Sequence, residues 1–185
     1  MVQAGLGWVT WTLDPNATQV RVVLEGFLVA VGVALGEELV FRGWLLDELE
    51  RDYAPSTALW ASSLTFAVLH FIRPFAEIVR TFPQFPGLVG LGLLLVWAKR
   101  SSQGILGISI GLHAGLVWGF YMVNVGGWVE YTGTVSAWWS GVDQNPLAGG
   151  LGLGFLAILG FWFRWRAIVT NRLDVNKPVT SDRPR

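Results

Sequence analysis

The sequence predicts an all-α, polytopic membrane helix bundle of about five transmembrane helices plus a short interfacial helix. Three observations predict it. Of 185 residues, 52% are hydrophobic and only 14% charged, against roughly 25% charged in ordinary soluble domains, and mean hydropathy is +0.49. The apolar residues fall in long runs free of Asp, Glu, Lys and Arg, at 54–72, 81–98, 101–129 and 144–163, each long enough to cross a hydrocarbon core about 30 Å thick. These runs do not alternate polar with apolar residues, which favours helices over barrel strands. A fifth segment, 15–49, is apolar but interrupted by charge.

Composition also excludes. Lys plus Arg equal Asp plus Glu, 13 each, so no bulk basic field exists to attract nucleic acid, and the expected partner is membrane lipid. The absence of cysteine excludes disulfides, thiol nucleophiles, thiolate metal sites and cysteine lipidation. Residues 1–11 lack a basic stretch, so no cleavable secretory signal is expected. No repeat of 20–50 residues suggests a solenoid.

Three regions follow: an N-terminal extension at 1–14, the membrane domain at 15–166, and a polar, basic, loosely ordered tail at 167–185. Asp14-Pro15 reads as an N-cap followed by a first-turn proline, and Ser56 and Ser102 read as caps of the second and fourth helices. Pro74 opens a short piece with Phe75, Ile78, Val79 and Phe82 on one face and Glu77 and Arg80 on the other, the pattern of a helix lying in the interface. On the fourth helix Gly107, Gly111, Gly115 and Gly119 recur every four residues, which predicts close helix packing. Trp8, Trp11, Trp138 and Trp139 read as interfacial anchors. Lys99 and Arg100 precede the fourth helix and Arg164, Arg166, Arg172 and Lys177 follow the fifth, while the loop 129–143 has no Lys or Arg. The C-terminus is therefore expected on the cytoplasmic side of a bacterial cytoplasmic or thylakoid-type membrane. Arg73 and Arg80 run against that orientation unless the interfacial helix excuses them.

The informative segment is Gly36-Glu37-Glu38-Leu39-Val40-Phe41-Arg42-Gly43, deep in the first helix. Three charges at mid-membrane cost ~2.5–3.5 kcal/mol each, roughly 8–10 together, and about a dozen apolar neighbours return only about 5. The helix must therefore face a polar interior made by the others. Glu38 and Arg42 stand in the favourable i,i+4 order for an ion pair, which leaves Glu37 without a sequence-local partner. A structural charge network accounts for this pattern as well as chemistry does. The chain's two histidines, His70 and His113, shift the balance, because both fall inside predicted spans although a lone intramembrane histidine is often a packing residue. From the helical rise, Glu37 lies ~18 Å above the lower end of its helix, His70 ~19.5 Å and His113 ~16.5 Å. Three helices can thus present an acid and two imidazoles at one height, and His113 points away from the glycine stripe.

Glu37-Glu38-x-x-x-Arg42, then Phe66-x-x-x-His70, then His113 resembles the CPBP intramembrane endopeptidases, the family of the CAAX prenyl protease Rce1 type, which includes bacteriocin-processing and immunity-associated (Abi) members. The resemblance covers roughly residues 26–119. It implies a membrane bundle that hydrolyses a peptide bond of a membrane-associated, sometimes lipidated, protein or peptide. It implies that Glu37 activates a water, that Glu38 and Arg42 support it, and that His70 and His113 hold the water, the oxyanion or a metal. A carboxylate in a low-dielectric pocket can serve as a general base near neutral pH. One carboxylate and two imidazoles, Glu37, His70 and His113, also match a catalytic Zn2+ with an open position, and a metal-free mechanism stands beside it. The family often carries Asn or Asp one turn after the last histidine, where this chain has Val117; Ser109, one turn before His113, is the substitute donor the sequence offers. That departure motivates an alternative, a non-proteolytic scaffold, immunity or assembly factor. A proton-coupled transporter is a third reading, since intramembrane Glu and His also build proton relays, but the internal repeats usual in transporters are missing.

Overall fold

The computed structural model describes residues 2–12 and 17–175. The chain is about 80% helical. After a single turn, α1 (Val2–Gly5), come α2 (Ala17–Glu38), a π-helical stretch (Leu39–Leu45), α3 (Leu46–Asp52), α4 (Pro55–Leu69), α5 (Phe75–Thr81), α6 (Phe85–Ser101), α7 (Gly107–Asn124), α8 (Ala137–Ser140) and α9 (Gly150–Val175). A small antiparallel sheet departs from the all-α expectation: β1 (Val9–Trp11) pairs with β2 (Val129–Tyr131), with Thr10 opposite Glu130. It ties the N-terminal extension to the loop after α7.

The central helix is α6, which packs on α4, α7 and α9, while α2 packs along α7. Leu88, Leu91, Leu94 and Leu95 of α6 form the core with Phe41, Phe66, Leu156 and Phe163. Gly92 lets α6 approach α4 closely, since a Cβ there would stand 2.9 Å from Cβ of Ser63 on α4. Outward faces carry large exposed apolar side chains such as Leu28, Trp44, Ile158 and Phe161, the surface of a protein solvated by lipid rather than water. Two segments, Phe75–Ser101 and Gly150–Arg172, are long and apolar enough to cross a membrane by length and composition. By contrast α4, with 15 residues, rises only about 22 Å, short of a full hydrocarbon core.

Several local expectations are corrected. Ala54 is the N-cap of α4 and Pro55 fills its first turn, so Ser56 is not the cap. Ser102 closes α6 instead of opening α7, its single hydroxyl lying within hydrogen-bond distance of the carbonyls of Ala98, Lys99 and Ile105, and α7 begins only at Gly107 after a turn in which Gln103 and Gly104 take φ of 56° and 86°. The expected cap at Asp14-Pro15 lies outside the described residues. The helix α9 continues to Val175, so the first part of the tail expected from residue 167 is ordered helix. The short helix after Pro74 forms as expected, with Phe75 and Val79 exposed. Arg80 ion-pairs with Glu77 at 2.7 Å and with Asp143, so its charge is neutralised at the end of the bundle where it is unexpected. The glycine stripe does not mediate close packing: a Cβ at Gly111, Gly115 or Gly119 would meet nothing within 4 Å. Helix α7 instead meets α2 through Trp118, Tyr121 and Met122 and α6 through Ser109.

Candidate active site

The first long helix changes register where its charges sit. Between α2 and α3 the ladder runs as a π-helix over Leu39–Leu45, with the amide of Leu46 donating to the carbonyl of Phe41, five residues back. Such stretches are rare and recur at functional sites, because they rotate side chains relative to a plain helix and loosen carbonyls from the ladder. Two side chains from neighbouring helices donate to carbonyls of this stretch. Ser62 of α4 donates its hydroxyl to Phe41 at 3.1 Å, and the buried Lys99 ammonium of α6 donates to the carbonyl of Arg42 at 2.6 Å while pairing with Asp47.

The stretch turns Glu38 and Arg42 fully inward. Both are 0% exposed, with Arg42 Nη1 donating to Glu38 Oε1 at 2.9 Å. The guanidinium lies 4.3 Å from the centre of the Phe66 ring, a cation–π contact in a desolvated place. The same Oε1 of Glu38 stands 2.9 Å from Nδ1 of His113. A carboxylate held by Arg42 accepts, so Nδ1 of His113 carries its proton and Nε2 presents a lone pair. His70 is arranged in parallel. It is the residue that ends α4, not an interior residue of the helix, and its Nδ1 lies 2.8 Å from the carbonyl of Phe66. A carbonyl can only accept, so Nδ1–H donates and Nε2 of His70 also presents a lone pair.

Both Nε2 atoms face Glu37. Oε2 of Glu37 is 3.8 Å from Nε2 of His113 and 3.9 Å from Nε2 of His70. It is buried, and it has no hydrogen-bond partner among the described residues, although the side chain as a whole is 30% exposed and His70 27%. Three acceptor groups from α2, α4 and α7 thus converge on one small volume reachable from outside, at separations too long for direct hydrogen bonds and suited to a bridging water. A buried carboxylate oxygen is costly without a donor, so the cluster calls for a proton-bearing or cationic guest. The donor set is chemically that of a catalytic zinc, including the outer partners that orient each imidazole. Among the described residues, however, no group of three or more His, Asp or Glu side chains closes into a metal-holding set.

The structure therefore brings Glu37, Glu38, Arg42, His70 and His113 together. It does not bring Ser109, whose buried hydroxyl donates to the carbonyl of Leu95 at 3.0 Å and serves helix packing. Sequence reasoning missed Lys99, Ser62 and the role of Phe66, whose ring floors the site beside His70 (4.5 Å), Phe41 (5.2 Å) and His113 (6.1 Å). Lys99 sits at the end of an apolar run where a basic residue reads as a boundary marker, and only its burial reveals a second task. Lys99→Met strands the Arg42 carbonyl and is expected to cost about 1–3 kcal/mol, read as a lowered unfolding midpoint of the purified protein; an unchanged midpoint would show that the contact contributes nothing.

Among curated proteins and among solved structures, nothing matches this chain. A family model does: the type II CAAX prenyl endopeptidase Rce1-like model matches residues 19–119, a segment that contains all five converging residues. With more than half of the chain covered, the protein belongs to the Rce1-like type II CAAX prenyl endopeptidase family of membrane helical hydrolases.

Proposed function

We propose that the protein is an intramembrane endopeptidase that hydrolyses a peptide bond of a membrane-associated protein or peptide, using a water activated by Glu37 and held by His70 and His113. The observation that carries this reading is the convergence of an unpartnered carboxylate oxygen on two imidazole Nε2 atoms at 3.8 and 3.9 Å. Glu37 Oε2 accepts a proton from the water as its oxygen bonds to the peptide carbonyl carbon. The water's second hydrogen donates to an Nε2 lone pair. The proton on Glu37 then passes to the amide nitrogen as the C–N bond breaks. Glu38 is a positioning residue: it orients the His113 ring through Nδ1, and Arg42 holds the Glu38 side chain in place by donating to its Oε1 at 2.9 Å. A zinc ion held by Glu37, His70 and His113 is the other form of this site, and when bound it supplies Lewis-acid polarisation of the carbonyl.

A lipidated C-terminal peptide is the first substrate class to try, by family. The end of the bundle with Lys99, Arg100 and Arg164 is assigned to the cytoplasm by its basic residues. The test presents the purified chain, in a bilayer, with farnesylated C-terminal peptides and with unmodified membrane-spanning peptides, and reads products by mass spectrometry. Cleavage abolished by a zinc chelator and restored by zinc assigns the metal form; cleavage indifferent to chelator assigns the glutamate–histidine form. No cleavage of either peptide sinks the endopeptidase reading. That outcome would favour the second reading, a non-proteolytic scaffold, immunity or assembly factor, for which the commitment of Ser109 to Leu95 and the apolar Val117 are the supporting observations.

A further inference from the structure

The basic end of the bundle holds an open cavity of about 800 Å³ between α3, the start of α4 and the last turns of α6 and α9. We infer that this cavity binds the phosphate of an anionic glycerophospholipid, with Arg164 as the charge that holds it. Its volume falls in the range of ligand sites, and it lies away from the Glu37 cluster, so the inference does not depend on the proteolytic reading.

The charges of the wall decide the ligand. Lys99, Arg100 and Arg164 line it together with Asp47 and Glu50. Lys99 is paired with Asp47, and Arg100 Nη2 is paired with Glu50 at 2.7 Å. Arg164 has no such partner among the described residues, so the wall carries one uncompensated positive charge. Neutral donors surround it. Ser56 contributes a hydroxyl, and the first turn of α4, which no side chain caps, leaves amide N–H groups without intrahelical acceptors. Leu59, Trp97 and Ile168 supply an apolar flank. A single negative phosphodiester with an attached apolar body fits this lining, whereas a free phosphate leaves the apolar flank unused. Basic pockets between helices at a membrane boundary bind lipid headgroups on the same grounds.

The test is native mass spectrometry of the full chain, purified in detergent, with phosphatidylglycerol or phosphatidylcholine added at equal concentration. The wild-type protein is expected to retain phosphatidylglycerol in preference. Arg164→Gln should lower that retention about fivefold, the value of about 1 kcal/mol per basic contact. Arg166→Gln is the control, since its guanidinium lies over the Trp162 ring at 5.4 Å and outside the cavity; it should leave retention unchanged. Equal retention of the two lipids, an Arg164→Gln protein that binds like wild type, or an equal loss from Arg166→Gln would each overturn the inference. Displacement of phosphatidylglycerol by millimolar inorganic phosphate would overturn it too, by reassigning the site to a soluble anion.

Discussion

Glu37→Gln is expected to reduce peptide hydrolysis by about 10²–10⁴-fold, the usual contribution of a positioned general base, while leaving the folded protein intact. The amide has the size of the carboxyl but cannot take a proton from water. It also exchanges a buried oxygen that has no hydrogen-bond partner among the described residues, so no hydrogen bond of the fold is lost. Glu38, Arg42 and Lys99, which hold the π-helical stretch in place, are untouched. The informative measurement is therefore paired: kcat in the peptide assay and the unfolding midpoint on the same preparation. Turnover that survives in Glu37→Gln would remove Glu37 from the role of base. Turnover that falls only together with the midpoint would make the residue structural.

Arg42→Met is expected to have the largest effect on stability. The guanidinium is fully buried, donates to Glu38 at 2.9 Å and lies over Phe66. Removing it leaves the Glu38 carboxylate inside the bundle with His113 as its one donor among the described residues, and an uncompensated buried charge of this kind costs about 3–5 kcal/mol. The cost should be relieved in part by a second change. In Arg42→Met with Glu38→Gln, the neutral amide oxygen still accepts from His113 Nδ1 while no charge is stranded, so the double variant should unfold later than Arg42→Met alone. Arg42→Lys is not a rescue, because an ammonium lacks the planar face that meets the Phe66 ring. Unfolding midpoints of the three variants in one detergent check this. A double variant no more stable than the single one would show that Arg42 matters through packing and not through the charge of Glu38.

Much of the site was legible because membrane insertion makes charge expensive. In a chain with so few charged residues, two glutamates and an arginine inside an apolar helix have to be explained, and so do two histidines within runs that otherwise exclude polar groups. The i,i+4 spacing of Glu38 and Arg42 is a local property of a helix, so their ion pair is readable from numbering alone. The common height of Glu37, His70 and His113 follows from rise per residue and short connections. Helix existence was legible for the same reason, since only internally hydrogen-bonded segments survive in lipid.

Other features escaped because they depend on which faces meet. The glycine repeat of α7 has the spacing of a packing motif, but spacing does not say whether a neighbour comes close on that side, and here none comes within 4 Å of a Cβ at Gly111, Gly115 or Gly119. Ser109 shares a helix face with His113, yet its hydroxyl is taken by a carbonyl of α6, a fact of interhelical contact. Lys99 looks like a boundary marker until α6 is set against the π-helical stretch and its ammonium meets the Arg42 carbonyl. The stretch itself shifts the ladder by one residue, and no residue type announces it. The sequence by itself determined a helical membrane protein, the five polar residues at its centre and the family they belong to, because those follow from hydropathy, period and motif. Only the tertiary structure decided that both imidazoles turn Nε2 toward Glu37: the His70 ring is turned by the Phe66 carbonyl one turn back in its own helix, but the His113 ring is set by the Glu38 carboxylate of α2, a partner 75 residues away chosen by packing and not by spacing along the chain.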